Sequence, residues 1–144
     1  MNPTMRKFGF PGSLVADYEY WAVLLRPQQV TLGALVLACK ENVTSFGAVS
    51  PAAGAELVRV AADIEQTLAA AFAHEKINYL MLMMVDADVH YHVLPRYGSM
   101  RAFEGQAFTD ASWPGPPRLD QVNPTDEARN ARIREQLLQH WPRR

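Results

Sequence analysis

The sequence predicts an α+β fold: an antiparallel sheet packed on one long amphipathic helix, with a second helix near the C-terminal end. Three observations lead there. The segment from Pro51 to about Phe72 repeats apolar residues at helical spacing. The segments around it are rich in aromatic and β-branched residues and read as strands. Strands and helices do not alternate as a parallel βαβ sheet would require.

Taken in order, the start of the chain to about Gly12 reads as an irregular arm with scattered aromatics, Phe8 and Phe10. Tyr18 to Leu25 forms a strand that Pro27 ends. Val30 to Cys39 forms another, with Gly33 marking a bend or a close backbone approach. The long helix starts well: Ser50 suits the N-cap and Pro51 the first helical position. Leu57, Val60, Ala61, Ile64, Leu68, Ala71 and Phe72 make its core face, and Glu56, Arg59, Asp63, Glu65 and Gln66 its solvent face. Ile77 to Val85 is almost continuously apolar, as in a central strand buried on both faces. The two-residue link Asp86-Ala87 then implies an antiparallel hairpin with Asp88 to Leu94. After Pro95 comes a Gly/Pro-rich stretch containing Trp113-Pro114-Gly115-Pro116-Pro117, too irregular for a core element. A final helix runs from about Thr125 to His140, with Ile133, Leu137 and Leu138 facing inward.

At 144 residues the chain is of single-domain size, and with 49% hydrophobic residues it can bury a real core. A net charge of −1 gives no global field for a nucleic acid polymer, so an anionic ligand must be held locally. Cys39 stands alone, which excludes an internal disulfide and suits a reducing compartment. The start lacks a signal-peptide pattern, and the apolar runs are shorter than the roughly 18 residues of a membrane helix. A cytoplasmic protein with no membrane partner is expected.

Chemistry concentrates in Asp88-Val89-His90-Tyr91-His92. On a strand Asp88, His90 and His92 share one face, and Val89, Tyr91 and Val93 the other. Three uses remain open for the polar face: display to solvent, a zinc or iron(II) site, or nucleophilic and acid–base catalysis by imidazole. His74 and His140 fall near helix C-termini and read as surface residues.

Val89-His90-Tyr91-His92-Val93-Leu94-Pro95-Arg96 resembles the second and third histidines of the histidine triad (HIT) signature with its usual Pro-Arg, and the order of elements over about residues 18–97 is similar too. The resemblance implies a sheet of about five strands in a single domain over 1–144, with the core at about 18–97 and a C-terminal extension over 98–144. It implies nucleotidyl hydrolysis or transfer on dinucleoside polyphosphates or nucleoside phosphoramidates, with no cofactor and no metal. His90 would attack the α-phosphate, and His92 would bind phosphate oxygens or assist the leaving group. A homodimer that joins two sheets is implied as well. Arg26 and Asn78 fall on elements that border the nucleotide in such proteins, and Trp113 could close over the site or a partner subunit.

The chain departs from the pattern at Asp88, which replaces the first histidine, and at Gly33-Ala34, which replaces a Gly-His pair. It also lacks the Ala-Gly-Gln loop. A carboxylate about 6.5 Å from His90 on the same strand face would repel a bound phosphate by about 0.6 to 2.5 kcal/mol. The opposing role is to hydrogen-bond an imidazole and fix its tautomer.

Overall fold

The computed structural model describes residues 2–143; Met1, at the head of the expected arm, and Arg144 lie outside them. The α+β class holds. Strands β1 (Leu14–Asp17), β2 (Trp21–Leu25), β3 (Leu35–Cys39), β4 (Lys76–Leu80) and β5 (His90–Arg96) form one antiparallel sheet in the order β1-β2-β3-β5-β4. Helices α1 (Pro3–Lys7), α2 (Pro51–Phe72) and α3 (Glu127–His140) accompany it, with a separate hairpin of β6 (Arg101–Phe103) and β7 (Gln106–Phe108).

Alternation along the strands divides the sheet into two faces. Trp21, Val23 and Leu25 on β2 and Leu35, Leu37 and Cys39 on β3 meet Ala53, Val60, Ile64, Leu68 and Phe72 of α2. Ile133 and Leu137 of α3 join this cluster, each fully buried aliphatic side chain contributing about 1.5–3 kcal/mol. The opposite face presents Ala22, Leu24, Val36 and Ala38, which Met5 and Phe8 cover.

Helix α2 begins and ends where its sequence predicts, and the Ser50 side chain accepts from the Ala53 amide. Its faces are a correction. Glu56 and Asp63 are buried, while Leu57, Ala61 and Ala71 are only partly so. The physical reason lies in the β1–β2 turn: Glu56 accepts from the Tyr20 amide at 2.7 Å and Asp63 from the Tyr18 hydroxyl at 2.8 Å. Hydrogen-bonded carboxylates can be buried where isolated ones cannot.

The arm also differs from expectation, since residues 3–7 are helical and β1 follows. Asn2 caps α1 by accepting from the Met5 amide, ahead of Pro3. Both strands expected early in the chain start late. Residues 18–20 are the β1–β2 turn, and residues 30–33 are a loop closed by the Gln29 side chain, which bonds Arg26 O, Ala34 O and Gly33 N. Gly33 has φ +88°, and a Cβ there would sit 3.0 Å from the Phe72 ring, so bend and close approach coincide.

The apolar run Ile77–Val85 is not a central strand. β4 ends at Leu80 and lies at the sheet edge, none of its residues fully buried, and 81–89 connect it to β5. The hairpin is antiparallel as expected, but its connection is longer than Asp86-Ala87. The segment after Pro95 holds the β6–β7 hairpin, whose turn places Glu104 (φ 47°) and Gly105 (φ 80°) in the left-handed region. Two left-handed residues match the twist of a two-residue hairpin. Leu138 is 37% exposed, leaving Ile133 and Leu137 as the inward residues of α3.

Arg96, at the end of β5, ties that strand to the C-terminal segment. It donates to both Asp110 carboxylate oxygens (2.7 and 3.0 Å), to Asn78 Oδ1, to Ser112 Oγ and to the Gly115 carbonyl. Asp110→Ala would strand this buried guanidinium and is expected to lower stability by about 3–5 kcal/mol in urea unfolding. A loss below about 1 kcal/mol would contradict a structural role for the pair.

Candidate functional site

β5 is hydrogen-bonded on both edges, so its side chains are held in register. His90 faces Ala38 on β3, and His92 faces Val36 on β3 and Leu80 on β4. The alanine and valine leave space for two imidazoles on the α1 side of the sheet. Phe8 fills what remains, its ring 6.1 Å from that of His90 and edge-on to that of His92 at 5.7 Å. The two imidazoles meet edge-on at 5.1 Å. His90 is 2% exposed and His92 7%.

The His90 ring is oriented by the backbone. Its Nδ1 donates to the Asp88 carbonyl oxygen at 2.6 Å. A carbonyl only accepts, so the ring proton resides on Nδ1 and Nε2 keeps its lone pair. Asp88 itself precedes β5, and its carboxylate turns to α1, accepting from the Thr4 hydroxyl at 2.9 Å and the Thr4 amide at 3.4 Å. Asp88, His90 and His92 are therefore not gathered as three ligating side chains. Among the described residues no group of three His, Cys, Asp or Glu comes together to hold a metal, a correction to the open metal alternative.

A cleft of about 240 Å³ opens beside the histidines. It is lined by His90 and His92, by Lys7 and Phe8 of the arm, by Arg26 and Gln28 after β2, by residues 82–86 and by Leu119. Lys7 is ion-paired with Asp86 at 2.9 Å. Met84 and Val85 are 85% and 83% exposed, so the rim on that side is apolar. His92 is pulled down to about 4, mainly by burial and then by the positive charge of Arg26 and the neighbouring His90 ring, with Asp86 opposing. Neutral at pH 7, it has a ring Nδ1 with no hydrogen-bond partner among the described residues.

Asp88, Asn78 and Trp113 do not line the cleft. Asn78 Oδ1 is occupied by Arg96 at 2.7 Å. His140 Nδ1 bonds the Gln136 carbonyl in the last turn of α3, and His74 follows the end of α2. Lys7, Asp86, Gln28, Leu119 and the rim methionines escaped sequence reasoning. A signal for the first existed: Asn2-Pro3 is a capping residue before an N1 proline, which marks a helix start.

No protein-family model and no curated protein matches the sequence. Solved structures do match. A histidine triad protein of Sinorhizobium meliloti superposes with a TM-score of 0.75 at 18% identity, over 97% of this chain and 95% of that one. One from Bradyrhizobium japonicum gives 0.73 at 14% identity, over 98% and 96%. A hypothetical histidine triad nucleotide-binding protein of Sulfolobus tokodaii gives 0.66 at 16%, over 95% and 88%. Identities this low speak for the fold: the chain is a HIT-like protein in its architecture. Among the described residues no helix is long and apolar enough to cross a membrane.

The His92 environment makes a prediction about pH. Its folded value near 4 lies below the ordinary 6.5, so between them the unfolded chain binds the extra proton. The stability that depends on this ring is complete above pH 6.5 and drains away as pH falls toward about 4. Urea midpoints measured across that window should fall less steeply for His92→Gln than for the wild type. Parallel curves would contradict the assignment.

Proposed function

We propose that the protein is a nucleotidyl hydrolase or transferase acting through a nucleotidyl-histidine intermediate at His90, on a dinucleoside polyphosphate or a nucleoside phosphoramidate. The observation that supports this most is the anchoring of a buried imidazole at Nδ1, in a cleft, by a backbone carbonyl. Such an anchor leaves Nε2 as an oriented nucleophile. The nucleotide-binding name of the Sulfolobus tokodaii neighbour and the motif order agree with it.

In this reading the Nε2 lone pair attacks the α-phosphorus, and the bond from phosphorus to the leaving oxygen or nitrogen breaks. The leaving group departs with that electron pair and takes up a proton. Water then attacks phosphorus, the P–N bond returns its pair to Nε2, and a nucleoside monophosphate and a proton are released. His92, held neutral, offers a ring N–H to a phosphoryl oxygen. Asp88 acts as a positioning residue: its carbonyl fixes the His90 tautomer, and its carboxylate fastens α1 over the site. The electrostatic penalty expected from its carboxylate is softened, because the carboxylate turns to the Thr4 hydroxyl and amide and does not line the cleft.

A cytoplasmic location suits the buried free thiol of Cys39. A homodimer is supported by the family likeness and by the incompletely buried edge strand β4 with its apolar neighbours Leu82, Met84 and Val85. Light scattering is expected to give twice the 16.1 kDa chain mass; a monomer across micromolar concentrations would contradict it.

For the chemistry, the protein is incubated with adenosine phosphoramidate and diadenosine polyphosphates, and an acid-labile nucleotidyl adduct is sought by mass spectrometry. Wild type should form it at His90. His90→Ala should form none and lose on the order of a thousandfold or more in turnover while still binding nucleotide. Turnover that survives intact in His90→Ala refutes the proposal.

A further inference from the structure

The chain buries two arginines that are treated very differently. Arg96 is saturated by Asp110, Asn78, Ser112 and Gly115. Arg26 is 8% exposed, and among the described residues only its Nη1 has a partner, the Gln28 carbonyl at 2.9 Å. Its Nε is buried with no hydrogen-bond partner among the described residues. Among the described residues no aspartate or glutamate pairs with it. Arginine does not escape such a position by losing its proton, so the charge stays. A buried charge without an opposite charge is unfavourable, and folds that keep one keep it for a ligand or another use.

Arg26 lines the same cleft as His90 and His92. The other cationic side chain there, Lys7, is already neutralised by Asp86 at 2.9 Å. Lys7, Asp86 and Arg26 together therefore leave one positive charge, and it belongs to Arg26. His92 does not add to it, since burial and Arg26 itself keep that ring neutral. The geometry is that of a receptor for one anion, with a planar donor fork suited to phosphate oxygens.

We propose that Arg26 is a substrate-binding residue that pairs with a phosphate group of the nucleotide, so that this cleft recognises its ligand by phosphate charge more than by the nucleoside. The proposal rests on the nucleotide chemistry put forward above. It also accounts for how a site lacking two of the family's histidines, at Asp88 and Ala34, supplies positive character to an anionic substrate.

Calorimetry with adenosine and with AMP separates the two ideas. Wild type should bind AMP at least about tenfold more tightly than adenosine, the size expected of a charged hydrogen-bonded contact. Arg26→Gln should abolish most of that preference while adenosine affinity stays the same, and Arg26→Lys should keep part of it. Thermal unfolding guards against a trivial outcome: the Tm of Arg26→Gln should hold or rise, because an unpaired buried charge has been removed. An unchanged AMP preference in Arg26→Gln overturns the role of Arg26 and leaves the His90 chemistry standing. So does a Tm loss as large as that of Asp110→Ala, which would make Arg26 structural. Failure of wild type to bind either nucleoside or nucleotide overturns the nucleotide reading, and this inference with it.

Discussion

The His90 Nδ1 proton is held by the Asp88 carbonyl across 2.6 Å, and the surrounding structure serves to keep that bond in place. β5 is pinned between β3 and β4, which fixes the backbone that carries the ring. The residue that supplies the carbonyl is itself restrained, because its carboxylate is bonded to Thr4 at the start of α1. That short helix is held in turn by Asn2, which caps it and also donates to the Cys39 carbonyl at 3.1 Å. The arm thus binds to both ends of the arrangement and brings Phe8 down on the imidazoles. Deleting it would loosen the ring as much as unroof it.

The two faces of the sheet have divided their work. The α2 face is packed with large aliphatic and aromatic side chains and satisfies even its buried carboxylates, through Tyr18 and Tyr20. The α1 face is lined by small residues opposite the histidines and tolerates polar atoms with no partner, at His92 Nδ1 and Arg26 Nε. Buried unpartnered polar groups are few in native proteins, and the two at this cleft mark a place where stability has been given up for binding. Arg96 shows the contrast within a single residue type, since its contacts are complete and it anchors structure.

What could be read in the sequence follows the strength of local signals. The long helix was legible to its end residues because Ser50-Pro51 and the apolar repeat agree. The histidine pair was legible because strand alternation puts His90 and His92 on one face. The Asp88 side chain was not, since alternation holds only inside a strand and Asp88 lies just before one. The apolar run through Val85 misled for a related reason: hydrophobicity predicts burial, but Met84 and Val85 rim a cleft at an exposed edge. Glu56 and Asp63 read as solvent residues because their partners come from a turn distant in sequence. Arg26 could be noticed as a residue near the site, but only the absence of a counter-charge among the described residues gives it meaning.

The most direct test of the site as described is the protonation pattern of the His90 ring. Long-range proton–nitrogen correlation spectra of the uniformly labelled protein at neutral pH, assigned with His90→Gln, distinguish the two ring nitrogens. A protonated Nδ1 and an unprotonated Nε2 are expected for His90. The reverse tautomer, with the proton on Nε2, would mean that the Asp88 carbonyl does not hold the ring and that no nucleophile is presented to the cleft.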